Sequence, residues 1–404
     1  MTKRLPRALA CALLLTVAAG AVRAGASVEP PVGQEPAAPA AVPPEQLQAA
    51  LDKLGDLDYA TRTAAARTVR RTPNSQAAPA LLRAIDEHAD GYVRYRALVL
   101  LTGFNDSRTK DAMREALSSP NDRLRTVAYS YFERNPDPEV TERLLGGVDK
   151  EQAEFVRPAF VRALAAAART DPRARKTIVA DVGRGEDVFR GAVIEALGDY
   201  KAQYAVAAIL AVAKLDGPLQ DDAVLALGKI GDKAALETMA ALQRTAPRHR
   251  QPSIASGICL LGINCESHES FTIETLKFTD TNPGFQELLR NAAFGLGALG
   301  VSGRATAVDA LFEVGIPSQD PTRAPVALAL ATVALRNTPL MMSILATHPR
   351  REEALSLLAE GFDMLEEDLE KERFFAFVRR SYWESAEGSP ARALLQTVIG
   401  KLDF

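Results

Sequence analysis

Residues 202–232 read AQYAVAAILAVAKLDGPLQDDAVLALGKIGD. Val206, Ile209, Leu210 and Ala213 fall at i, i+3, i+4 and i+7, which puts them on one face of an α-helix. Asp216, Gly217 and Pro218 then break the chain. Ala223, Leu227 and Ile230 mark a second helix at i, i+4 and i+7, and Gly231-Asp232 turns the chain again. A helix pair of this size cannot cover its own apolar faces, so it needs neighbours of the same kind.

Those neighbours are present. An acidic residue followed four positions later by Arg recurs as Asp58–Arg62, Asp90–Arg94 and Glu186–Arg190, and Arg125, Arg157, Arg290 and Arg323 hold the same place, with Gln220 standing in once. Positions 62, 94, 125, 157, 190 and 220 are separated by 32, 31, 32, 33 and 30 residues. From 220 to 290 is 70, two steps with a degenerate member near Ile254, and 290 to 323 is 33. The turns Asn135-Pro136-Asp137-Pro138, Asp171-Pro172 and Asp320-Pro321 punctuate the series, and no strand-like alternation persists. The expected fold is all-α: an elongated, right-handed α-solenoid of about nine helix pairs over residues 45–338, with a helical cap over 339–404.

Ala226-Leu227-Gly228-Lys229-Ile230-Gly231-Asp232, with echoes at Ala196-Leu197-Gly198-Asp199 and Ala298-Leu299-Gly300, resembles the helix-end phrase of HEAT repeats. The short period is most similar to the HEAT-like repeats of the phycobilisome-lyase type, and the resemblance covers about Gln46 to Thr338. A tetratricopeptide frame needs Trp and Tyr, and the only Trp is Trp383, outside the array. The resemblance implies an extended concave surface and two functions: a protein-binding scaffold, or a lyase-like or otherwise catalytic helper.

Two readings attach to the row Arg62, Arg94, Arg125, Arg157, Arg190, Gln220, Arg290 and Arg323. It is a surface for an acidic partner, or a structural ladder in which each Arg pairs with the acid one turn earlier and aligns neighbouring repeats. The i, i+4 spacing favours the structural reading. One and five residues beyond the ladder the sequence is least uniform, supplying Arg67, Tyr95, Arg162, Glu195 and Asp221. These are the expected partner-binding residues, on the concave face of the second helices.

Met1 to Ala24 has the form of a secretory signal peptide. Lys3, Arg4 and Arg7 precede an apolar run from Ala8 to Val22, and Val22-Arg23-Ala24 offers small residues for cleavage. The rival is an uncleaved anchor, but the run falls short of the ~20 residues a bilayer requires. Residues 25–44, with Pro30, Pro31, Pro36, Pro39, Pro43 and Pro44, form an extended, mobile linker. The mature chain is expected to be periplasmic or secreted and to contain no membrane span. Cleavage would move the formal charge from −3 to −7, and a mildly acidic protein lacks the basic footprint of a nucleic-acid binder.

Cys259 and Cys265 are the only cysteines after the apolar run. An exported protein favours a disulfide between them; free thiols, or a metal site with Glu266 and His268, are the alternatives, and a fourth ligand is not evident.

Enzyme-like strings fail on context. Gly295-Leu296-Gly297-Ala298-Leu299-Gly300 fits a dinucleotide fingerprint but ends a helix where a strand should lead in. Ser107-Arg108-Thr109-Lys110 lacks the companion motifs of penicillin-binding enzymes, and Ser107 reads as a helix cap. No enzymatic activity and no cofactor are expected. At the C-terminal end, Glu367 is spaced to pair with Lys371. Phe374, Phe375, Phe377, Tyr382 and Trp383 read as the cover of the last apolar face, with an aromatic binding patch as the rival. The function expected is an exported, non-enzymatic scaffold for a protein or peptide; the oligomeric state is not legible.

Overall fold

The computed structural model describes residues 40–365 and 367–404, all within one compact unit, Gly33–Phe404. The expected signal peptide and most of the expected linker lie outside the described residues, as does Glu366. Twenty-two α-helices follow one another: α1 (Pro44–Asp52), α2 (Tyr59–Arg71), α3 (Asn74–Glu87), α4 (Gly91–Leu101), α5 (Thr109–Ala116), α6 (Asp122–Arg134), α7 (Pro138–Leu145), α8 (Arg157–Ala167), α9 (Pro172–Asp181), α10 (Asp187–Asp199), α11 (Val206–Ala213), α12 (Gln220–Ile230), α13 (Leu236–Thr245), α14 (Gln251–Leu260), α15 (Cys265–Thr281), α16 (Gln286–Val301), α17 (Ala305–Gly315), α18 (Arg323–Arg336), α19 (Thr338–Thr347), α20 (Arg351–Met364), α21 (Asp368–Glu384) and α22 (Pro390–Leu402). No strand occurs among the described residues. The fold is an all-α solenoid.

Residues 202–232 form α11 and α12, and Gly231 ends α12 at φ +82°, a left-handed turn that glycine adopts without strain. The first eighteen helices make nine successive pairs. The stack does not stop there: α19 and α20 pack on α17 and α18 as a further pair, and α21 is the first helix to leave the pattern. Residues 40–42, expected in the linker, are tied down instead. The Ala40 N–H donates to the Arg71 carbonyl (3.1 Å), and Val42 exchanges hydrogen bonds with the Gln76 amide.

The even-numbered helices stack directly on one another from α2 to α20, whereas successive odd-numbered helices touch sparingly. Small residues set this difference. A Cβ on Gly198 of α10 would lie 2.7 Å from the Ala226 Cα of α12, and one on Gly228 of α12 would lie 2.6 Å from the Gly257 carbonyl of α14. Gly297 of α16 meets Ala329 of α18 in the same way. Close approach in one layer and looser contact in the other curves the stack, with the even layer inside.

The curvature brings the C-terminal segment back onto the first repeats. The start of α21 docks on the inner helices α2, α4 and α6 through three acids, and Glu367, just before α21, ties the segment to α18. Glu372 binds Arg70 (2.6 Å), Asp368 binds Arg96 (2.7 Å), Glu370 binds Arg134 (2.8 Å), and Glu367 binds Arg336 of α18 (2.8 Å). Leu369 is buried in the same core as the first repeats. Glu367 therefore does not pair with Lys371; the Lys371 ammonium goes to Asp368 (2.7 Å) and the Leu365 carbonyl (2.9 Å). Phe374 and Tyr382 are buried in the C-terminal core, Phe375 stacks on Phe404, and Phe377 and Trp383 stay largely exposed. At the last helix Ser389 caps α22 by accepting from the Arg392 N–H (3.2 Å). Ser107 does not cap α5: the N-cap position is Arg108, without a side-chain cap bond, and Asp106 closes the preceding turn by accepting from the Arg108 N–H (2.9 Å).

The repeating Arg does not pair with an acid four residues earlier, although Arg125 and Arg190 also reach Asp122 (2.7 Å) and Asp187 (2.9 Å) three residues earlier. Arg94 Nε donates to the Ile85 carbonyl (2.6 Å), Arg190 Nε to Val182 (3.0 Å), Gln220 Nε2 to Ala213 (3.0 Å), and Arg323 Nη1 to Gly315 (3.0 Å). Each satisfies a carbonyl left orphaned at the end of the preceding helix of its own pair. Arg125 reaches the Ser119 carbonyl and also Glu151, and Arg62 the carbonyls of Asp56 and Leu57. Two of the three acids act as N-caps instead: Asp58 accepts from the Thr61 N–H (2.7 Å) and Asp90 from Tyr92 (2.8 Å), whereas Glu186 makes no side-chain cap bond. Two members depart from the row, with Arg157 over the Phe189 ring at 4.0 Å and Arg290 exposed. Arg351 continues the device beyond the expected array by donating to the Leu345 carbonyl (2.8 Å).

Candidate functional site: a groove at the closing seam

The concave face expected to receive a partner is largely used by the chain itself. Tyr95 is buried and donates its hydroxyl to Asp368, and Arg67 pairs with Asp403. Arg162 lies between Glu133 (3.0 Å) and Asp199 (2.9 Å), and Lys229 binds the other Asp199 oxygen (2.7 Å). This row of ion pairs links α6, α8, α10 and α12 along the inner layer. Burial alone would raise the Asp199 carboxyl, but Lys229 and Arg162 outweigh it and hold it at about 2. Of the five residues expected to bind a partner, Glu195 is exposed and Asp221 half-buried, with the Asn291 amide 3.5 Å from its carboxylate. Beside them, Asp222 is pushed up to about 6 by burial and by its neighbours Glu195 and Asp221.

The Cys259 and Cys265 sulfurs are bonded to each other across the turn between α14 and α15. His268 sits near the Gln243 amide (3.4 Å), and burial pushes its imidazole down. No group of three or more His, Cys, Asp or Glu among the described residues is arranged to hold a metal ion. Gly295, Gly297 and Gly300 lie inside α16 against Ser256, Ala329 and Val333, so they serve helix packing.

The open surface lies elsewhere, at the N-terminal ends of the inner helices where the first repeats meet the C-terminal segment. A groove of about 530 Å³ is lined by Tyr59, Arg62, Tyr92, Tyr95, Arg123 and Phe155 on one side, and by Asp363, Leu365, Asp368 and Lys371 on the other. Its volume is in the ~300–1,000 Å³ range of ligand sites. Tyr92, Arg123 and Phe155 each stand two residues before a member of the repeating row, so one repeat position supplies all three. The same position places Val188, highly exposed, further along the edge. Tyr59 is 62% exposed and Phe155 40%, and Leu57 beside them is 97% exposed. A run of bare rings and aliphatics at one edge is what a binding surface presents.

Most charges of the groove are already committed. The Tyr59 hydroxyl donates to Asp363 (3.1 Å), and burial followed by that carboxylate pushes the phenol up. Burial would raise Asp368, but Arg96 and Lys371 prevail and hold it at about 2. Burial, then Asp368, drives the Tyr95 hydroxyl far above the usual phenol range, so it stays a donor. Arg62 is held by backbone carbonyls. Arg123 differs: its guanidinium lies 5.6 Å from the Tyr92 ring centre, 5.5 Å from Tyr95 and 5.5 Å from Phe155, and the residue is exposed.

The sequence reading passed over Tyr59, Tyr92, Arg123 and Phe155, although the phase of the repeat carries three of them. It looked one and five residues past the ladder, onto the face that closure consumes, and not two residues before it.

Residues 79–165, from within α3 to within α8, match the family model described as HEAT repeats. No curated protein matches the sequence. Similar solved structures include importin beta, at 12% identity and a TM-score of 0.36, with 89% of this chain aligned to 58% of that one. An engineered protein aligns at 15% identity and a TM-score of 0.26, over 88% of this chain and 98% of that one. A homology model of the AP-3 complex aligns at 8% identity and a TM-score of 0.35, over 88% and 82%.

Proposed function

The chain is a HEAT-repeat protein, and from that premise we propose that it is an exported, non-enzymatic scaffold that binds a protein or peptide partner in the groove at its closing seam. The observation that supports the reading is the row Tyr59, Tyr92 and Phe155: aromatic side chains at one edge, Tyr59 and Phe155 bare and Tyr92 half-buried between them, on a fold that buries or pairs most of its inner face. Rings offer large contact area at little entropic cost, and interfaces are enriched in them. Export rests on the signal-peptide form of residues 1–24.

The test is a photo-crosslinking amino acid at Val188, beside the groove, in full-length chain produced in its own host. A discrete crosslinked partner is expected, and it should be lost when Tyr59→Ala and Phe155→Ala are combined while the helical circular dichroism is unchanged. Persistence of the same crosslink in that double variant would place binding elsewhere. N-terminal sequencing of exported protein should begin at Gly25 or nearby.

A further inference from the structure

The groove also indicates what it reads, an inference that rests on the binding role just proposed. We infer that Arg123 is a carboxylate-recognising residue, and that the partner is an extended peptide segment carrying an acidic side chain flanked by proline or aromatic residues. The case begins with the charges. Lys371 is neutralised by Asp368, Arg62 is satisfied by two backbone carbonyls, and Asp363 accepts from Tyr59. Around the Arg123 guanidinium stand three rings, all within 5.6 Å, and it forms no ion pair with a carboxylate among the described residues. Among the described residues, its positive charge is the one this groove offers to a ligand.

Geometry adds to charge. A guanidinium held among rings is oriented by their π faces, yet its N–H edge remains free to donate. That edge is a planar fork matched to a carboxylate, and the two parallel hydrogen bonds it forms are stronger than neutral ones. Partial exclusion of water by Tyr92, Tyr95 and Phe155 strengthens the pair further. The rings also fix what must lie beside the acid. Tyr59 and Phe155 flank the groove with exposed apolar surface, which suits proline or an aromatic side chain. A proline-rich segment is already extended, so little ordering is lost on binding. The groove runs across successive helix ends and is open, which suits a strand of peptide better than a compact metabolite.

The experiment measures fluorescence anisotropy of two labelled peptides against the full chain: Pro-Pro-Glu-Pro-Pro and the same peptide with Gln for Glu. The Glu peptide should bind about tenfold more tightly, a preference that falls as salt rises. In Arg123→Gln the preference should vanish while the Gln peptide binds as before; in Arg123→Lys part of it should remain. Phe155→Ala should weaken both peptides alike. Equal binding of the two peptides to the native chain, or a preference that survives Arg123→Gln, overturns the assignment of Arg123 and leaves the groove as a site. Failure of both peptides to bind overturns the groove reading together with it. Thermal melts of each variant separate loss of binding from loss of fold, since Arg123 is exposed and forms no ion pair among the described residues.

Discussion

Arg70, near the end of α2, and Glu372, in α21, are 302 residues apart and form a buried ion pair: Nη2 to Oε2 is 2.6 Å, Nε also donates to the same carboxylate, and the side chains are 5% and 1% exposed. This contact joins the first repeats to the last segment. Arg379 lies close by, donating to the Arg70 carbonyl, and burial, offset by Glu372, pulls it down to about 10. The seam thus holds two arginines, Arg70 and Arg379, around one carboxylate, with Arg71 close to Arg379.

Glu372→Gln should be among the most destabilising single changes in the chain. It leaves a buried guanidinium without its counter-charge, at a cost of about 3–5 kcal/mol. Replacing both partners, Arg70→Met with Glu372→Met, should cost less than Glu372→Gln alone. Urea denaturation of the three proteins checks the order; a double variant weaker than the single would contradict it.

Acid should loosen the seam. Asp368 is held at about 2 by Arg96 and Lys371 against burial, below the ~3.9 of an unfolded Asp. A lowered carboxyl contributes stability that is complete above about pH 4 and is lost as pH falls towards 2, here about 2 kcal/mol. Hydrogen exchange at α21 should accelerate across that window. Asp368→Asn should be less stable than the native chain at pH 7 and equal to it near pH 2.

Asp222 should behave in the opposite sense. Its carboxyl, pushed up to about 6 by burial, Glu195 and Asp221, is strained as an anion in the folded state. Folding therefore gains stability as pH drops from about 6 towards 4, and the anion is a cost at neutral pH. Because the side chain reaches solvent, the discounted effect is about 1 kcal/mol. Asp222→Asn should raise Tm at pH 7.5 and have no effect at pH 4; no gain at pH 7.5 would refute the shift.

Gly228→Ala should destabilise, although alanine in place of a helix-interior glycine ordinarily adds about 0.5–1 kcal/mol. A Cβ there would stand 2.6 Å from the Gly257 carbonyl and 2.8 Å from its Cα. Both are backbone atoms of α14, so relief requires moving one inner helix from the next, at about 1–3 kcal/mol. Thermal denaturation should show a lower Tm, and an unchanged or higher one would mean the inner layer can spread.

The amino-acid sequence by itself determined the helices and their pairing. The apolar spacing in residues 202–232, the period of the Arg row and the Gly and Pro turns are local properties, and they yielded α11, α12 and the solenoid class without reference to distant residues. Local reading also located the repeating Arg while misassigning its partner, because an acid four residues earlier is visible in the sequence and a carbonyl at the end of a neighbouring helix is not. What only the tertiary structure decided is curvature and its consequence. How far each repeat turns depends on how closely Gly198, Gly228 and Gly297 let inner helices approach, and small angles add along the stacked pairs from α1 to α20. Their sum set Glu372 against Arg70 and Asp368 against Tyr95, consuming the face where a partner was expected and leaving Tyr59, Arg123 and Phe155 bare at the edge. Contacts across some 300 residues follow from accumulated geometry and leave no mark in the spacing of either segment.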